Sequence, residues 1–413
     1  MIGEIIAIGD ELTSGRILNT TSYFAASQLF AAGHEVAAMT TIGDDPVLIG
    51  TTLLNSLHRA DFVIVTGGLG GTSDDLTTEA VADALDRPST FYPEILEQIR
   101  THSKNAPEQV RLSLEKLAWL PAGAHALKYD AGMAGYFLVH EGKPIFFLPG
   151  IPHEMKQLLV ETVLSRLAVW EGEDARLVRQ RVYRVAGLSE TEINDLIGRG
   201  GDDDKRIKIG YYPVFPEVQV SLTVAAGNEP EIDALFAAAD GRIRRILGLN
   251  IFGGPDETLE GVVGQSLGRC GLSLAVAESC TGGLIAHRIT RVAGSSVYFY
   301  GGIVAYSNLL KEQLLGVSGT TIAQFGAVSA ETARAMAEGV RRVTGADLGL
   351  SVTGIAGPTG GSPDKPVGTV CFALATNDGC REYRFLFNGD RNQVQEASCL
   401  TGLDLIRRHL AGG

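Results

Sequence analysis

Hydrophobic and polar residues follow a repeating pattern along the N-terminal part of the chain. Apolar stretches such as IGEIIAIGDEL and DFVIVTGGLGG have the length of buried strands, and apolar residues recur every three to four positions between them. The pattern predicts helices over residues 21–32 and 46–58, each after a strand. Strands that alternate with helices in this way are typical of βαβ units with a parallel sheet.

The pattern changes twice further along the chain. RVYRVAGLSETEINDLI, PEVQVSLTVAAG and the helical EPEIDALFAAADGRIRRIL predict a small α+β module. The Gly-Gly-Pro of LNIFGGPDETLEG is typical of a linker, and another segment rich in βα units follows it. We therefore predict an α/β protein of three domains, at residues 1–168, 169–252 and 256–413.

Composition narrows the class of ligand. Of the 413 residues, 45% are hydrophobic and 20% are charged, which is typical of globular domains. The formal net charge of −13 would repel a phosphate backbone, so we expect small-molecule ligands rather than nucleic acid. Because we find neither a signal peptide nor a membrane span, we expect a cytoplasmic protein without a membrane partner.

A glycine-rich turn follows the strand predicted at 62–65 and precedes a helix predicted at 77–85. Backbone N–H groups in such a turn can approach an anion closely at the positive end of a helix. The sequence therefore predicts a phosphate-binding site, with candidate residues Gly67, Gly68, Gly70 and Thr72.

Two acidic pairs accompany this turn. Asp74 and Asp75 follow the glycines, and Asp10 with Glu11 follows the first strand, at the sheet edge where open α/β folds bind ligands. Carboxylates beside a phosphate repel it unless a divalent cation lies between them, so Asp10, Asp74 and Asp75 are candidate ligands of Mg²⁺ or a similar ion. Two alternatives remain open. Asp75 caps the helix predicted at 77–85, and Asn19, a further candidate residue of the site, caps the helix predicted at 21–32.

A second candidate site begins in VAESCTGG. An apolar strand predicted at 272–278 precedes Ser279, and a helix is predicted to begin around Thr281. A serine on such a turn lies over the N–H groups of the helix N-terminus, which can stabilise an oxyanion. Ser, Cys and Thr are equally ordinary helix caps, so the serine needs a partner to be a nucleophile.

The partner candidate lies in YGGIVAYSNLLKEQLLGV. Tyr306 is predicted to end a strand, Ser307 or Asn308 to cap the next helix, and Lys311 to lie in its first turn. A lysine near the positive end of a helix dipole is expected to have a lowered pKa, as a base requires. The alternative is a solvated surface lysine.

A long Gly/Pro loop, GIAGPTGGSPDKPVG, joins two later apolar strands and could wrap a phosphate or a ring edge. Arg391 supplies a cation that could bind a nucleotide phosphate. Together with Ser279, Tyr306 and Lys311 this loop would form a serine-nucleophile amidohydrolase. The candidate substrate-binding residues of this second site are Thr281, Gly282, Gly283, Thr353, Gly354, Ala356, Gly357 and Arg391.

GDEL, GGLGGTSDDLT and FFLPGIPHEM together resemble the N-terminal domain of the CinA family, a relative of the MoaB/MogA fold. The resemblance implies a three-layer parallel-sheet domain that is an ADP-ribose pyrophosphatase dependent on a divalent metal, Mg or Co; a pterin-binding domain is the alternative. The chain departs from the family at Tyr129-Asp130 and Ala134-Gly135, where Asn-Pro and Ala-Pro-Gly are usual.

IGYYPVFPEVQVSLTVAA resembles the KH-like module of the same family, but this stretch has no GxxG loop of the kind that clamps nucleic acid. We expect a spacer that also mediates dimerisation, and hence a homodimer.

VAESCTGG, YSNLLKEQLLGV, GAVSAETA, SVTGIAGPTGGSPDKPVGTV and GDR resemble the C-terminal CinA domain over about residues 256–410. That resemblance implies an α/β amidohydrolase for nicotinamide mononucleotide (NMN), without a cofactor. By the same resemblance Ser279 is the nucleophile and Tyr306 and Lys311 activate it, whereas Cys280 is packed. The implied function is recycling of pyridine nucleotides; the family's name leaves a scaffold for DNA uptake or recombination as the rival.

Overall fold

Apolar strands of the N-terminal part form one six-stranded sheet in the computed structural model. The structure describes residues 1–72, 74–104, 107–128, 135–172, 177–198 and 204–412. The sheet order is β2-β1-β3-β8-β7-β6, and a separate pair is formed by β4 and β5. The strands are β1 (Ile2–Ile8), β2 (Glu35–Ile42), β3 (Phe62–Thr66), β4 (Ser89–Phe91), β5 (Trp119–Pro121), β6 (His125–Ala126), β7 (Tyr136–His140) and β8 (Lys143–Leu148). The first four strands of that order run parallel, as predicted, whereas β7 and β6 are antiparallel to their neighbours.

Helices cover both faces of this sheet. Successive side chains of a strand point to opposite faces, so Ile64 packs in one core with α2 and α7, and Val65 packs in another with α3 and α4. The predicted three-layer α/β arrangement is thereby confirmed. The helices are α1 (Asp10–Thr13), α2 (Thr20–Ala31), α3 (Pro46–Arg59), α4 (Thr77–Ala84), α5 (Pro93–His102), α6 (Glu108–Leu114), α7 (Pro152–Leu158) and α8 (Leu164–Glu171).

The middle of the chain forms a four-stranded sheet in the order β10-β11-β9-β12, which has the α+β composition expected of the KH-like module. Residues 198–201 are Gly-Arg-Gly-Gly, so a GxxG sequence does occur in this module, just outside the stretch that resembles the KH-like one; residues 199–203 lie outside the described ranges. The elements are β9 (Leu177–Val185), α9 (Glu190–Gly198), β10 (Ile207–Val214), β11 (Glu217–Ala226), α10 (Glu229–Leu247) and β12 (Ile251–Gly253).

The C-terminal part contains a five-stranded sheet in the order β14-β13-β15-β16-β17. Strands β14, β13 and β15 run parallel, so their carboxyl ends meet at one edge, and the last two strands are antiparallel. The elements are α11 (Leu259–Cys270), β13 (Leu274–Glu278), α12 (Leu284–Thr290), β14 (Phe299–Val304), α13 (Asn308–Leu315), α14 (Gly319–Phe325), α15 (Ala330–Thr344), β15 (Leu348–Gly354), β16 (Thr369–Thr376), β17 (Gly379–Leu386) and α16 (Arg391–Leu410).

The chain divides into two compact units, the first comprising Met1–Arg179 with Val224–Leu235 and the second Gln180–Thr223 with Phe236–Gly413. The predicted boundaries of three domains stay a prediction. Within the described ranges, no helix is both long and apolar enough to cross a membrane. Tyr129, Asp130 and Ala134, where the chain departs from the family pattern, lie outside those ranges.

Candidate active sites

Ser279 lies directly after β13, at the edge where the parallel strands end. Its N–H donates to Val352 O of β15 at 3.0 Å, and the side chain is 8% exposed. The following helix begins at Leu284, not around Thr281 as predicted, because Gly282 and Gly283 have φ of +63° and +102°. A right-handed helix does not accommodate those left-handed conformations, so a turn separates the serine from α12.

The buried carboxylate of Glu278 occupies the N-terminus of α12. It accepts hydrogen bonds from Thr281 Oγ1 at 2.7 Å and from the N–H groups of Gly283 at 3.0 Å, Ile285 at 3.1 Å and Ala286 at 2.8 Å. The expectation that these helix N–H groups stabilise an oxyanion is therefore wrong, because they bind the chain's own carboxylate.

Lys311 reaches the serine from α13, whose N-cap is Ser307. Its side chain is 1% exposed, and Nζ lies 3.1 Å from Ser279 Oγ and 2.9 Å from Ala305 O. Burial lowers the pKa of this lysine. The alternative of a solvated surface lysine does not hold, and a neutral amine in this position could accept the serine proton.

Tyr306 lies two residues beyond β14, which ends at Val304, and its ring is 58% exposed. Its hydroxyl accepts a hydrogen bond from Arg391 Nη2 at 2.6 Å, and Arg391 Nη1 donates to Gly357 O at 2.9 Å. Arg391 is the first residue of α16, where Asp390 and Gln393 form a capping box. The tyrosine is thus tied to the arginine at the mouth of the site.

These side chains surround one cavity of about 190 Å³. Thr353 is held in its wall by a 2.8 Å hydrogen bond from Oγ1 to Ala327 O. Four predicted binding residues do not line this cavity. Gly357 supplies the carbonyl that accepts from Arg391. Thr281, Gly282 and Gly283 line a separate depression together with His287 and Gln395. The cavity is lined by Ser279, Cys280, Tyr306, Asn308, Lys311, Ala327, Val328, Thr353, Gly354, Ala356 and Arg391.

Cys280 is packed into the wall of the cavity. The side chain is 4% exposed, and burial raises the pKa of its thiol to about 12. A Cβ added at Gly354 would stand 3.1 Å from Sγ and 2.7 Å from Val370 Cγ2, so the glycine admits the thiol at the cavity wall. The thiolate that nucleophilic attack requires is disfavoured there.

In the N-terminal unit, the glycine turn after β3 packs tightly. Gly67 and Gly68 have φ of +102° and +64°, and a Cβ on them would stand 2.1 Å from Ile8 O and 2.1 Å from Thr77 Oγ1, respectively. Thr77 Oγ1 also donates to Gly67 O at 3.0 Å. Close approach to β1 and α4 therefore requires glycine at both positions, whatever the turn binds.

Asp75 closes the loop that follows. Its Oδ2 accepts from the N–H of Thr72 at 2.9 Å and from Thr72 Oγ1, while Lys116 Nζ donates to its backbone carbonyl at 2.7 Å. A Cβ on Gly70 would stand 2.4 Å from the same Oδ2 atom. A hydrogen bond with Thr72 lowers the pKa of the neighbouring Asp74. Since the N-cap of α4 is Leu76, without a side-chain hydrogen bond, the alternative that Asp75 caps this helix does not hold.

Asp10 pairs with a carboxylate that the sequence reasoning missed. The N–H of Asp10 donates to Asp44 Oδ2 at 2.9 Å, and the N–H of Asp44 donates to Asp10 Oδ1 at 3.2 Å. Burial, with the nearby carboxylates of Asp10, Glu11 and Asp74, raises the pKa of Asp44. The available signal was IGDDP after β2, because β2 lies beside β1 and both strands end at the same edge.

Asn19 acts as the cap of α2, the alternative that its position left open. Its Oδ1 accepts from the N–H of Ser22 at 3.0 Å, and its Nδ2 donates to Thr41 Oγ1 at 3.0 Å.

Family models match nearly the whole chain: a probable molybdopterin binding domain at residues 4–169, the damage-inducible protein CinA KH domain at 180–253 and the CinA C-terminal domain at 256–410. The CinA-like protein of Desulfotalea psychrophila is 51% identical over 98% of both chains. The chain belongs to the CinA family. The CinA-like protein of Citrifermentans bemidjiense is 41% identical over 98% of this chain and 97% of its own.

Among solved structures, the competence/damage inducible protein CihA from Agrobacterium tumefaciens is 39% identical, covers 37% of this CinA-family chain and 93% of its own, and has a TM-score of 0.36. Membership in the CinA family, with a MoaB-like N-terminal domain, is consistent with an enzyme.

The metal that the CinA family implies can be compared with the acidic residues present. Within the described ranges, no three His, Cys, Asp or Glu side chains are grouped closely enough to hold an ion by themselves. Mg²⁺ in phosphate chemistry is commonly held by one or two carboxylates together with substrate oxygens and water. The facing pair Asp10 and Asp44 fits that second mode.

A pocket adjoins the glycine loop of this N-terminal domain. Its walls combine apolar side chains such as Leu120 with the rings of Trp119 and Tyr136, and Gly68, Gly70 and Asp75 also line it. Two cations, Lys116 and Lys128, also line it. The combination of apolar walls and a few polar groups is typical of a small-molecule site.

Proposed function

We propose that the C-terminal site hydrolyses the carboxamide of NMN, releasing nicotinic acid mononucleotide and ammonia, with Ser279 as the nucleophile. The observation that carries the proposal is a buried lysine amine, Lys311 Nζ, 3.1 Å from Ser279 Oγ, with a lowered pKa. A serine hydroxyl needs an adjacent base to become a nucleophile, and a desolvated lysine is suited to that role.

In the proposed reaction, Ser279 Oγ attacks the carboxamide carbon while its proton passes to Lys311 Nζ. The electron pair of the carbonyl moves onto oxygen, and its return breaks the C–N bond. Lys311 gives the proton to the leaving nitrogen, so ammonia departs and an ester with the serine remains. Water then attacks this ester, with Lys311 as the base, and the acid product leaves.

Arg391 is suited to receive the phosphate of the mononucleotide. Its guanidinium lines the cavity and is oriented by Tyr306 and Gly357, so it can offer further N–H donors to an anion. We assign Tyr306 to the orientation of Arg391 as well as to the activation of Ser279 that the family resemblance implies.

The test is to incubate the chain with NMN and quantify ammonia and the acid product, with Ser279→Ala as the control. A chelator should leave the rate unchanged, because no step of the serine mechanism uses a metal. Absence of product from the wild-type chain would contradict the proposal.

For the N-terminal domain, we propose a metal-dependent pyrophosphatase that acts on ADP-ribose. Asp10 and Asp44 would hold a divalent ion, with Asp74 and Asp75 near the substrate phosphates, and Lys116 would help to neutralise them. The ion would supply charge neutralisation and an activated water. The facing positions of Asp10 and Asp44, each of which accepts a hydrogen bond from the backbone N–H of the other, support this assignment.

The corresponding test compares ADP-ribose with and without Mg²⁺ or Co²⁺ and identifies AMP and ribose 5-phosphate. A second candidate, pterin binding, is favoured by the aromatic walls that Tyr136 and Trp119 give the adjoining pocket. Tight pterin binding without cleavage of ADP-ribose would support that alternative.

A further inference from the structure

Strand β14 is the outermost strand of the C-terminal sheet, among the strands that the structure describes. Its inner side pairs with β13, and the N–H of Ala305, directly after the strand, donates to Glu278 O at 2.8 Å. Successive N–H groups of a strand point to opposite sides, so those of Gly302 and Val304 point to the open side. A row of outward backbone groups is a template on which another strand can pair.

This edge lacks most of the features that keep strand edges from pairing. Natural edges carry charged side chains or prolines, contain bulges, or are covered by another element. Residues 292–310 include no Asp, Glu, Lys, Arg, His or Pro, and Lys311, which follows them, is buried. One bulge is present, because the register with β13 shifts between Phe299 and Gly301, but Gly301–Val304 pair regularly after it. The outer side of β14 is therefore open to a partner strand.

Apolar side chains are exposed along the same edge, which we call the edge patch. They are 41–79% exposed and extend from the turn before β14 to the first turn of α13. Single exposed apolar residues are ordinary, whereas a group of them is typical of a surface where proteins associate. The edge patch consists of Val297, Tyr300, Val304, Tyr306 and Leu309.

We propose that β14 pairs with β14 of a second copy of this chain, antiparallel across a twofold axis, so that two five-stranded sheets become one. The formal net charge of −13 makes two copies repel each other, and this repulsion is weakest where they meet through a stretch without charges. A partner of a different kind would be selected by complementary charges, which the edge patch does not offer. A second copy supplies an identical strand and an identical apolar patch.

The twofold axis reverses the direction of the partner strand. The serine cavity lies at the edge where the parallel strands β14, β13 and β15 end. The two cavities of the dimer would therefore lie at opposite edges of the joined sheet, and each would keep its own mouth.

The test measures the mass of the full chain by sedimentation equilibrium for wild type, Tyr300→Lys and Val304→Pro. Tyr300→Lys would place a charge from each copy beside the shared strands, where like charges disfavour pairing. Val304→Pro removes an N–H that points to the open side, so it should block pairing without breaking a hydrogen bond to β13. The matched control is Val343→Lys on α15, because Val343 is 58% exposed and Tyr300 is 57% exposed.

We expect wild type and Val343→Lys to be dimers, and Tyr300→Lys and Val304→Pro to have half the wild-type mass. Hydrogen exchange tests the backbone pairing itself. A peptide spanning 299–306 should exchange more slowly as the concentration of wild type rises, because outward N–H groups become protected in the dimer. A peptide from α11 should show no such dependence, and in Tyr300→Lys neither peptide should.

A monomeric wild-type chain would overturn the inference, as would wild-type mass in a folded Tyr300→Lys variant. Exchange of the 299–306 peptide that does not depend on concentration would also overturn it, because the strands would then not be paired. Circular dichroism verifies that each variant is folded, and Tyr300→Lys decides the outcome if Val304→Pro is not. A dimer that persists in Tyr300→Lys would leave the KH-like module as the surface that joins the copies.

Discussion

Burial decides the chemistry of the residues in the C-terminal site. Lys311 and Cys280 line one cavity and are both buried, yet desolvation acts on them in opposite senses. It favours the neutral form of each group, which is the reactive form of an amine and the unreactive form of a thiol. The same environment thus makes Lys311 a suitable base and keeps the Cys280 thiol in its unreactive, protonated form.

Lys311→Arg is expected to impair NMN hydrolysis almost as severely as Lys311→Ala, because a guanidinium does not lose its proton near neutral pH. The wild-type kcat/KM should rise with pH until the pKa of Lys311 is reached, which burial places below the ordinary 10.5. The value of kcat/KM rises with pH because the neutral amine is the active form. Initial rates from pH 6 to 10 test both points. Wild-type turnover in Lys311→Arg would leave the lysine as a structural cation.

Cys280→Ala should retain most of the activity, whereas Ser279→Ala should lose about 10³-fold or more, the scale expected on loss of a nucleophile. Iodoacetamide should fail to alkylate Cys280 in the folded chain, since its pKa of about 12 leaves almost no thiolate. Peptide mass spectrometry can follow that alkylation beside exposed Cys270 as an internal standard. Inactivation of Cys280→Ala with retention in Ser279→Ala would indicate a thiol enzyme.

At the scale of elements, α12 depends on a side chain from the preceding strand. The helix is seven residues long, and its N-cap, Gly283, has no side chain to accept its first N–H groups. Glu278 at the end of β13 provides the acceptor instead, and its negative charge lies at the positive end of the helix. One carboxylate therefore links the strand, the serine turn and the helix.

Glu278→Gln should loosen α12, because an amide lacks the charge and one of the two acceptor oxygens. Loss of buried acceptors for backbone N–H groups costs about 1–3 kcal/mol. Hydrogen exchange of a peptide spanning 283–290 should become faster by the corresponding factor, while a peptide from α15 should stay unchanged. Exposed Glu312→Gln on α13 is the control. Unchanged exchange in Glu278→Gln would show that the carboxylate does not support the helix.

Element starts were predictable where a cap or a proline marks them, as Ser307 does for α13 and Pro46 for α3. The start of α12 was not, because the left-handed conformations of Gly282 and Gly283 give no periodic signal. The residues of the serine site were found by motif, but the burial of Lys311 depends on tertiary packing, which the sequence pattern does not show. Asp44 was missed because its partner Asp10 lies 34 residues away in the sequence.

At the scale of the whole molecule, the two proposed activities belong to different units of the chain. Asp10, Asp44 and Asp75 lie in the first unit, and Ser279 and Lys311 lie in the second. Each set of these side chains lies within one unit. The two activities are therefore expected to be separable by mutation and by chelation.

Asp75→Ala is expected to abolish metal-dependent cleavage of ADP-ribose and to leave NMN hydrolysis intact. Asp75 also accepts a hydrogen bond from the N–H of Thr72. Loss of activity in Asp75→Ala alone would therefore not distinguish a structural role of the side chain from a role of its negative charge. Asp75→Asn separates them: its amide oxygen can still accept from Thr72 but lacks the negative charge. We expect Asp75→Asn to be as inactive as Asp75→Ala, and exposed Asp83→Ala on α4 to behave as wild type.

Chelation should reproduce the same separation, with ADP-ribose cleavage lost and NMN hydrolysis kept. Both reactions are followed by chromatography on one preparation, so that unfolding would appear as loss of both. Activity in Asp75→Asn would show that the negative charge of this aspartate is not needed and that the residue only shapes the loop. Loss of both activities in a folded Asp75→Asn variant would contradict the assignment of two independent sites.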